Sequence, residues 1–361
     1  MKNNIQNISL LISFLLIAIN SFSQSCLPDG ITFNNQIQID SFSINYPGCK
    51  EIEGNVMITG GNISNLLGLN EITKVDGNVN IINADSLITL QGLNNLCEIG
   101  EQLWIGYYGP YGNMSLESFS GLERLKSIGQ GLVVVYNPKI ENFIGFDSLR
   151  YVYNLEIGPN EALENLIGLY SLDTIDYGLI IGSTKNLVDL TGLNNLSYVN
   201  HYIEIHYNES LYSLYGLDSL NKNSIDYHLH VNNNPKLSQC DAVSICEYLA
   251  DSNCNATIYN NDNGCNSTDE VIQSCFVIIP NNENSTNDIS LYPSPVYDII
   301  NIRYNKELKI KEINIFDLNG SLRLKHNIES SKIDISKLNS GIYIIELKTS
   351  DLINRKKIIK L

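Results

Sequence analysis

A glycine returns through most of the chain at nearly constant spacing, inside a recurring "GLxxL" unit. It falls at Gly68, Gly92, Gly121, Gly145, Gly168, Gly192 and Gly216, at intervals of 24, 29, 24, 23, 24 and 24 residues. About eleven residues after each comes an apolar–x–apolar triplet. The triplets are Val79-x-Ile81, Leu103-x-Ile105, Leu132-x-Val134, Leu155-x-Ile157, Leu179-x-Ile181, Ile203-x-Ile205 and Leu229-x-Val231, with Val56-x-Ile58 opening the series. One such unit cannot bury its apolar side alone. Stacked coils can, because each Leu or Ile then lies over its equivalent in the next coil. The period of two predicts a short strand whose middle residue faces out. Eight such strands at ~4.8 Å spacing predict a parallel sheet roughly 35 Å long. The return segment "GLxxLxxI" has spacing three, which predicts helical or 3₁₀ turns with inward Leu side chains.

These motifs resemble the leucine-rich-repeat superfamily, more closely its irregular bacterial type related to receptor L domains, over about Val56 to Val231. The resemblance implies a mostly β, right-handed solenoid whose sheet face or adjoining loops bind protein or glycan. It also implies a buried asparagine ladder at the fifth residue after each strand's first apolar position, as at Asn137, Asn160, Asn208 and Asn234. Two departures stand out. The preceding apolar position lies four residues, not three, before the strand (Ile128 to Leu132, Val199 to Ile203), and several coils lack the Asn.

The expected organisation is a signal peptide at 1–23, an N-terminal cap at 24–55, a solenoid of about eight coils at 56–233, and a Cys-rich cap at 234–275. An Asn-rich linker at 276–288 and a C-terminal domain at 289–361 complete it. The signal is read from Lys2 followed by the apolar run Ile8 to Ile19, too short to cross a bilayer of roughly 30 Å. Cleavage is expected near Ser23–Gln24. A lipobox ending at Ser25–Cys26 is the alternative, with Ser23 where an aliphatic residue is expected. No later run is long or apolar enough to span a membrane. Residues 24–287 hold 9 Lys+Arg against 30 Asp+Glu, and residues 288–361 hold 13 against 9. So acidic a body repels nucleic acid and anionic lipid, and its charge is explained by solubility.

Eight cysteines follow the signal with no CxxC pair, so disulfides are expected rather than a redox or zinc motif. Cys26 with Cys49 is the natural N-terminal pair. Cys97 stands about five coils from the C-terminal cap, too far for bridged Cα atoms that must lie within about 7 Å. Two pairs are therefore expected among Cys240, Cys246, Cys265 and Cys275, with Cys97 and Cys254 free.

After the linker, alternating strands divided by turn residues predict a small antiparallel β-sandwich. These segments resemble the type A C-terminal sorting domain of the bacterial type IX secretion system. The carrying residues are Tyr292-Pro293-Ser294-Pro295, Asp317, Gly320, Asp334 to Ser336, Gly341-Ile342-Tyr343, and the basic end with Lys356, Lys357 and Lys360. The family usually has Asn where Ser294 stands. The resemblance implies the type IX machinery as a partner and a route through the periplasm to the cell surface or the medium. It also implies that the tail is usually removed.

No GxSxG elbow, HExxH, phosphate loop or spaced Ser/His/Asp set is present, so no catalytic residue, cofactor or metal is expected. Glu204, His206, His228 and His230 could sterically meet on the outer sheet surface, but solvated strand residues are the plainer reading. Glu156 and Glu204 lie two coils apart on the same column, as abundant carboxylates do by chance. That outward column reads Met57, Asn80, Trp104, Val133, Glu156, Ile180, Glu204 and His230. Trp104 is the only tryptophan, and the one five-residue excess in the repeat follows it in "YYGPYG". An outward Trp must be covered or used. Trp104, Tyr107, Tyr108, Tyr111, Tyr136 and Glu156 are thus the expected ligand-binding residues, with chemistry suited to sugar stacking or a protein hot spot. The expectation is an exported, non-enzymatic repeat protein for adhesion or for binding a protein or glycan. The alternatives are a secreted carbohydrate-active enzyme or accessory, and a purely structural surface component.

Overall fold

Most coils make two strand segments with a bend between them. The computed structural model describes residues 25–109, 112–221, 224–275, 289–292, 296–304, 310–317, 321–326, 332–339, 341–348 and 353–360. The triplets lie in one column of parallel rungs, from Ile31–Phe33 through Val56–Thr59, Val79–Ile82, Gln102–Ile105, Ser127–Val134, Tyr151–Ile157, Thr174–Gly182, Tyr202–His206 and His228–Asn232 to Ala256–Tyr259. A second parallel column runs beside it through Ser25–Cys26, Glu51–Ile52, Lys74–Val75, Glu98–Ile99, the first halves of the three long strands, and Tyr198–Val199. This explains the four-residue separation noted above. Ile128 and Val199 are the inward residues of their own strands, both 0% exposed, and the bend needs one further residue. The sheet also extends one rung beyond the expected eight at each end, because each cap contributes a strand.

Inside, the coils stack Leu on Leu. Leu69, Leu93, Leu122, Phe146, Leu169, Leu193 and Leu217 are all buried. Each such side chain contributes roughly 1.5–3 kcal/mol relative to exposure. The return segments close in 3₁₀ geometry at Leu67–Leu69 and Tyr215–Leu217. Elsewhere they are single turns, as in Leu93 N to Leu90 O (3.1 Å) and Leu96 N to Leu93 O (2.9 Å). The recurring glycine has a packing cause. At Gly92 (φ 115°), a Cβ would stand 2.0 Å from the carbonyl oxygen of Leu66 in the preceding coil. No other residue permits that approach.

A buried polar ladder runs along the end of the main column. Asn113 Nδ2 donates to Asn137 Oδ1 (3.0 Å), and Asn137 N donates to Asn160 Oδ1 (2.9 Å). Farther on, Thr184 Oγ1 donates to Asn208 Oδ1 (2.7 Å). Asn208 Nδ2 then donates to Asn234 Oδ1, and Asn234 Nδ2 to Asn261 Oδ1, both at 3.0 Å. Backbone carbonyls accept too: Ile105 O from Asn137, Val134 O from Asn160, and Ile205 O from Asn234. The ladder therefore reaches beyond the four asparagines expected, and Thr184 takes the position in one coil. The residue before most rungs, such as Tyr136 (φ 56°), Ser183 (φ 59°) or Tyr207 (φ 57°), turns left-handed to aim the side chain inward.

Helices Gln36–Asp40 and Phe42–Asn45 cover the first coil, burying Ile39 and Phe42. At the other end stand helices Val243–Leu249 and Thr268–Cys275. Disulfides join Cys26 to Cys49 and Cys240 to Cys265. Cys246 and Cys275 are also disulfide-bonded, while Cys97 and Cys254 are free. The chain divides into two compact units after Ile272. In the second, a three-stranded antiparallel sheet (Ile289–Tyr292, Ile299–Tyr304, Lys332–Asp334) and a four-stranded one (Leu322–His326, Glu312–Asp317, Gly341–Lys348, Ile353–Lys360) share a core that includes Ile300, Ile333, Ile315 and Ile345. The expected signal peptide and linker lie outside the described residues.

Candidate functional site

The register of the sheet sets the outward column, with Cα partners running Met57, Asn80, Trp104, Val133, Glu156, Ile180, Glu204, His230. Thr32 and Thr257 extend it at the ends.

The ladder locates the five extra residues. Three positions separate Val134 from Asn137, whereas eight separate Ile105 from Asn113, which holds the equivalent buried place. The excess is therefore extruded between strand and ladder, from Gly106 onward. Gly106 (φ 82°) turns the chain out where a Cβ would meet the Val135 oxygen at 1.8 Å. The loop then folds back over the sheet. Trp104 lies 5.3 Å from the Tyr107 ring and 6.2 Å from Tyr108, which in turn lies 6.3 Å from Tyr136. The Tyr108 hydroxyl donates to Glu156 Oε1, two rungs away, and Val133 between them is only 4% exposed. Trp104 Nε1 donates to Gln102 Oε1 (2.7 Å). Trp104 is thus half-buried, while Tyr107 and Tyr108 are exposed. Burial raises the Glu156 carboxyl above its ordinary value, with the negative charge of Glu204 adding to it. Five of the six expected ligand residues are in this cluster; Tyr111 lies outside the described residues.

A second feature adjoins it that sequence reasoning missed. Tyr153, Tyr177, His201 and Tyr227 stand at the bend between the two strand columns and stack along the solenoid. Their ring centroids are 5.2, 4.9 and 4.7 Å apart, with interplanar angles of 5°, 23° and 13°. The faces of Tyr177 and His201 are covered by their neighbours. Among the described residues no ring covers the outer face of Tyr153, because the preceding coil has Gly129 and Gln130 there. A groove of about 540 Å³ opens at that point, lined by Gln102, Gly129, Gln130, Tyr153, Asn154, Tyr177 and Tyr202. Tyr202 lies across Gly178, where a Cβ would stand 2.2 Å from its ring, and its hydroxyl donates to Asn154 Oδ1 (3.4 Å). Burial, with Glu204 nearby, pushes the Tyr202 hydroxyl up to about 12. The signal was present in the sequence as rings recurring at 24, 24 and 26 residues, the repeat's own period. Gln102 joins the two features, lining the groove while accepting from Trp104.

The histidines divide. His228 Nε2 and Glu204 Oε1 are 2.8 Å apart, and His201 Nδ1 pairs with Asp226 Oδ1 at 2.7 Å. Glu204, His228 and His230 bring one ligand atom each to within 4.8 Å of one another. His206 is outside that group, its ring over Gly182. Burial, and next the neighbouring His228, hold His230 below its ordinary value.

In the C-terminal unit, Tyr343 is buried and its hydroxyl donates to Asn339 O (2.9 Å). Asp317 accepts from Arg323 Nε (2.8 Å) and from Ser321 N (2.9 Å). Gly341 starts a strand at φ 155°, and Tyr292 ends one. Pro293, Pro295 and Gly320 lie outside the described residues.

Comparison with known proteins agrees with this unit's sequence motifs. Residues 290–361 match the family described as secretion system C-terminal sorting domain. The tail is a type IX sorting domain, and it directs export across the outer membrane to the cell surface or the medium. Beta-agarase D of Zobellia galactanivorans is 32% identical over 76 residues, covering 20% of this chain. The chain spans 15% of that relative's length. No helix among the described residues is long and apolar enough to cross a membrane.

Proposed function

We propose that this sorting-domain protein is a surface-displayed, non-enzymatic repeat protein for adhesion or ligand binding, and that glycan is the ligand class its solenoid face fits best. The observation that carries the reading is the uncovered face of Tyr153. It meets a groove bordered by the amides of Gln102, Gln130 and Asn154 and the hydroxyl of Tyr202. Sugar rings present C–H faces that stack on aromatics and hydroxyls that pair with amides. The adjoining Trp104, Tyr107 and Tyr108 enlarge the platform. The Beta-agarase D similarity favours a carbohydrate setting.

The carboxylates favour binding over hydrolysis. Glu156 is held by Tyr108, Glu204 faces His228, and Ile180 stands between them on the column. The repeat is best read as leucine-rich of the receptor L-domain type, with right-handed coils; the asparagine ladder supports that kinship. A glycan and extracellular-protein array probed with the mature chain tests the function. Glycan binding lost in both Tyr153→Ala and Trp104→Ala is expected. Polysaccharide turnover abolished by Glu156→Gln would replace this reading with an enzyme.

A further inference from the structure

Three donor side chains meet on the outward face near the C-terminal end of the solenoid. His228 and His230 alternate on one strand, so both point out, and Glu204 on the next strand is the Cα partner of His230. We propose that Glu204, His228 and His230 form a binding site for a divalent transition-metal ion of the zinc class.

Two imidazole nitrogens and one carboxylate are a borderline donor set that favours zinc, nickel or copper over calcium or magnesium, which seek oxygen. The spacing suits such an ion. Bonds of about 2.0–2.1 Å in tetrahedral geometry place ligand atoms roughly 3.3 Å apart. His228 Nε2 and Glu204 Oε1 already stand 2.8 Å apart, and all three ligand atoms lie within 4.8 Å of one another. Small side-chain rotations therefore complete the set.

The support is rigid as well. All three residues sit on strands paired on both sides, and Tyr202 stacks on the His228 ring at 5.3 Å and 11°. That contact fixes the ring's orientation, as outer contacts do at built metal sites. The acidic body raises the local concentration of cations around the site. Three protein donors leave further coordination positions facing outward, toward the side on which a ligand of the sheet would lie. This inference does not depend on the glycan reading.

The test is calorimetric titration of zinc chloride into the full chain near neutral pH, with Cys97 and Cys254 alkylated so that thiolates do not compete. Saturable binding of one ion per chain is expected, accompanied by a rise in melting temperature. His230→Ala and Glu204→Gln should each weaken it about tenfold or more, while His201→Ala leaves it unchanged. Metal-free circular dichroism of each variant separates lost ligands from lost folding. No saturable zinc binding to the parent chain overturns the proposal. So does binding that persists in the His228→Ala/His230→Ala double variant.

Discussion

Replacing Asn208 by Ala isolates the contribution of the buried ladder. Its side chain makes four hydrogen bonds in a fully buried position. Oδ1 accepts from Thr184 N (3.2 Å) and Thr184 Oγ1 (2.7 Å); Nδ2 donates to Ile181 O (3.1 Å) and Asn234 Oδ1 (3.0 Å). Alanine leaves the Thr184 amide and the Ile181 carbonyl without these partners. Asn234 Oδ1 keeps the Asn208 amide at 3.0 Å, and the Thr184 hydroxyl can rotate. Two stranded backbone groups at about 1–3 kcal/mol each, partly relieved by relaxation, give a loss of about 3–5 kcal/mol. Because coils contact mainly their neighbours, the loss should also reduce cooperativity across the array. Denaturant unfolding followed by far-UV circular dichroism and by Trp104 fluorescence measures both quantities. The two probes should separate in the variant, since Trp104 lies four coils away. A loss below about 1 kcal/mol would mean that the ladder is replaceable by water, and the argument from buried unsatisfied groups fails.

Three further outcomes are expected. Trp104→Ala should cost about 1–2 kcal/mol, from two aromatic pairs and one hydrogen bond on a half-buried ring, while abolishing binding at the face; intact ligand binding would remove Trp104 from the site. Asp218 caps Val243 N at 3.0 Å with its other oxygen buried and without a hydrogen-bond partner among the described residues, and burial, with Asp241 adding, pushes its carboxyl from 3.8 to about 7. The folded chain therefore holds a proton that the unfolded chain releases, and stability falls as pH rises between those values. Asp218→Asn should recover up to about 4 kcal/mol in unfolding at about pH 8 and far less near pH 4; equal effects at both would refute the assignment. Deleting residues 288–361 should retain the chain in the periplasm, as read by fractionation and immunoblot, and unchanged secretion would refute the sorting role.

The architecture was legible because the constraint on each coil is local and repeated. Gly92 and its equivalents meet a carbonyl of the preceding coil, and Val56, Val79 and Leu103 keep the period of two that parallel rungs require. The extension of the sheet into both caps was less legible. Ile31–Phe33 and Ala256–Tyr259 carry weak patterns and become strands because an edge rung offers unpaired backbone groups. At the site, period-two alternation correctly placed Trp104 outward, but not the direction in which its loop turns.

What the sequence by itself determined was therefore the stacking: register and outward column follow from short-range spacing, while the ladder and the sorting motifs were what the family resemblances implied. Only the tertiary structure decided where side chains from different coils meet. Tyr108 reaches Glu156 because the extruded loop folds back across two rungs, burying Val133. Tyr153 opens onto a groove because the coil before it has glycine where later coils have rings. Of the four residues that register could bring together, Glu204, His228 and His230 converge while the His206 ring turns aside over Gly182. Each depends on how far a side chain reaches between stacked coils, and spacing along the chain does not encode that distance.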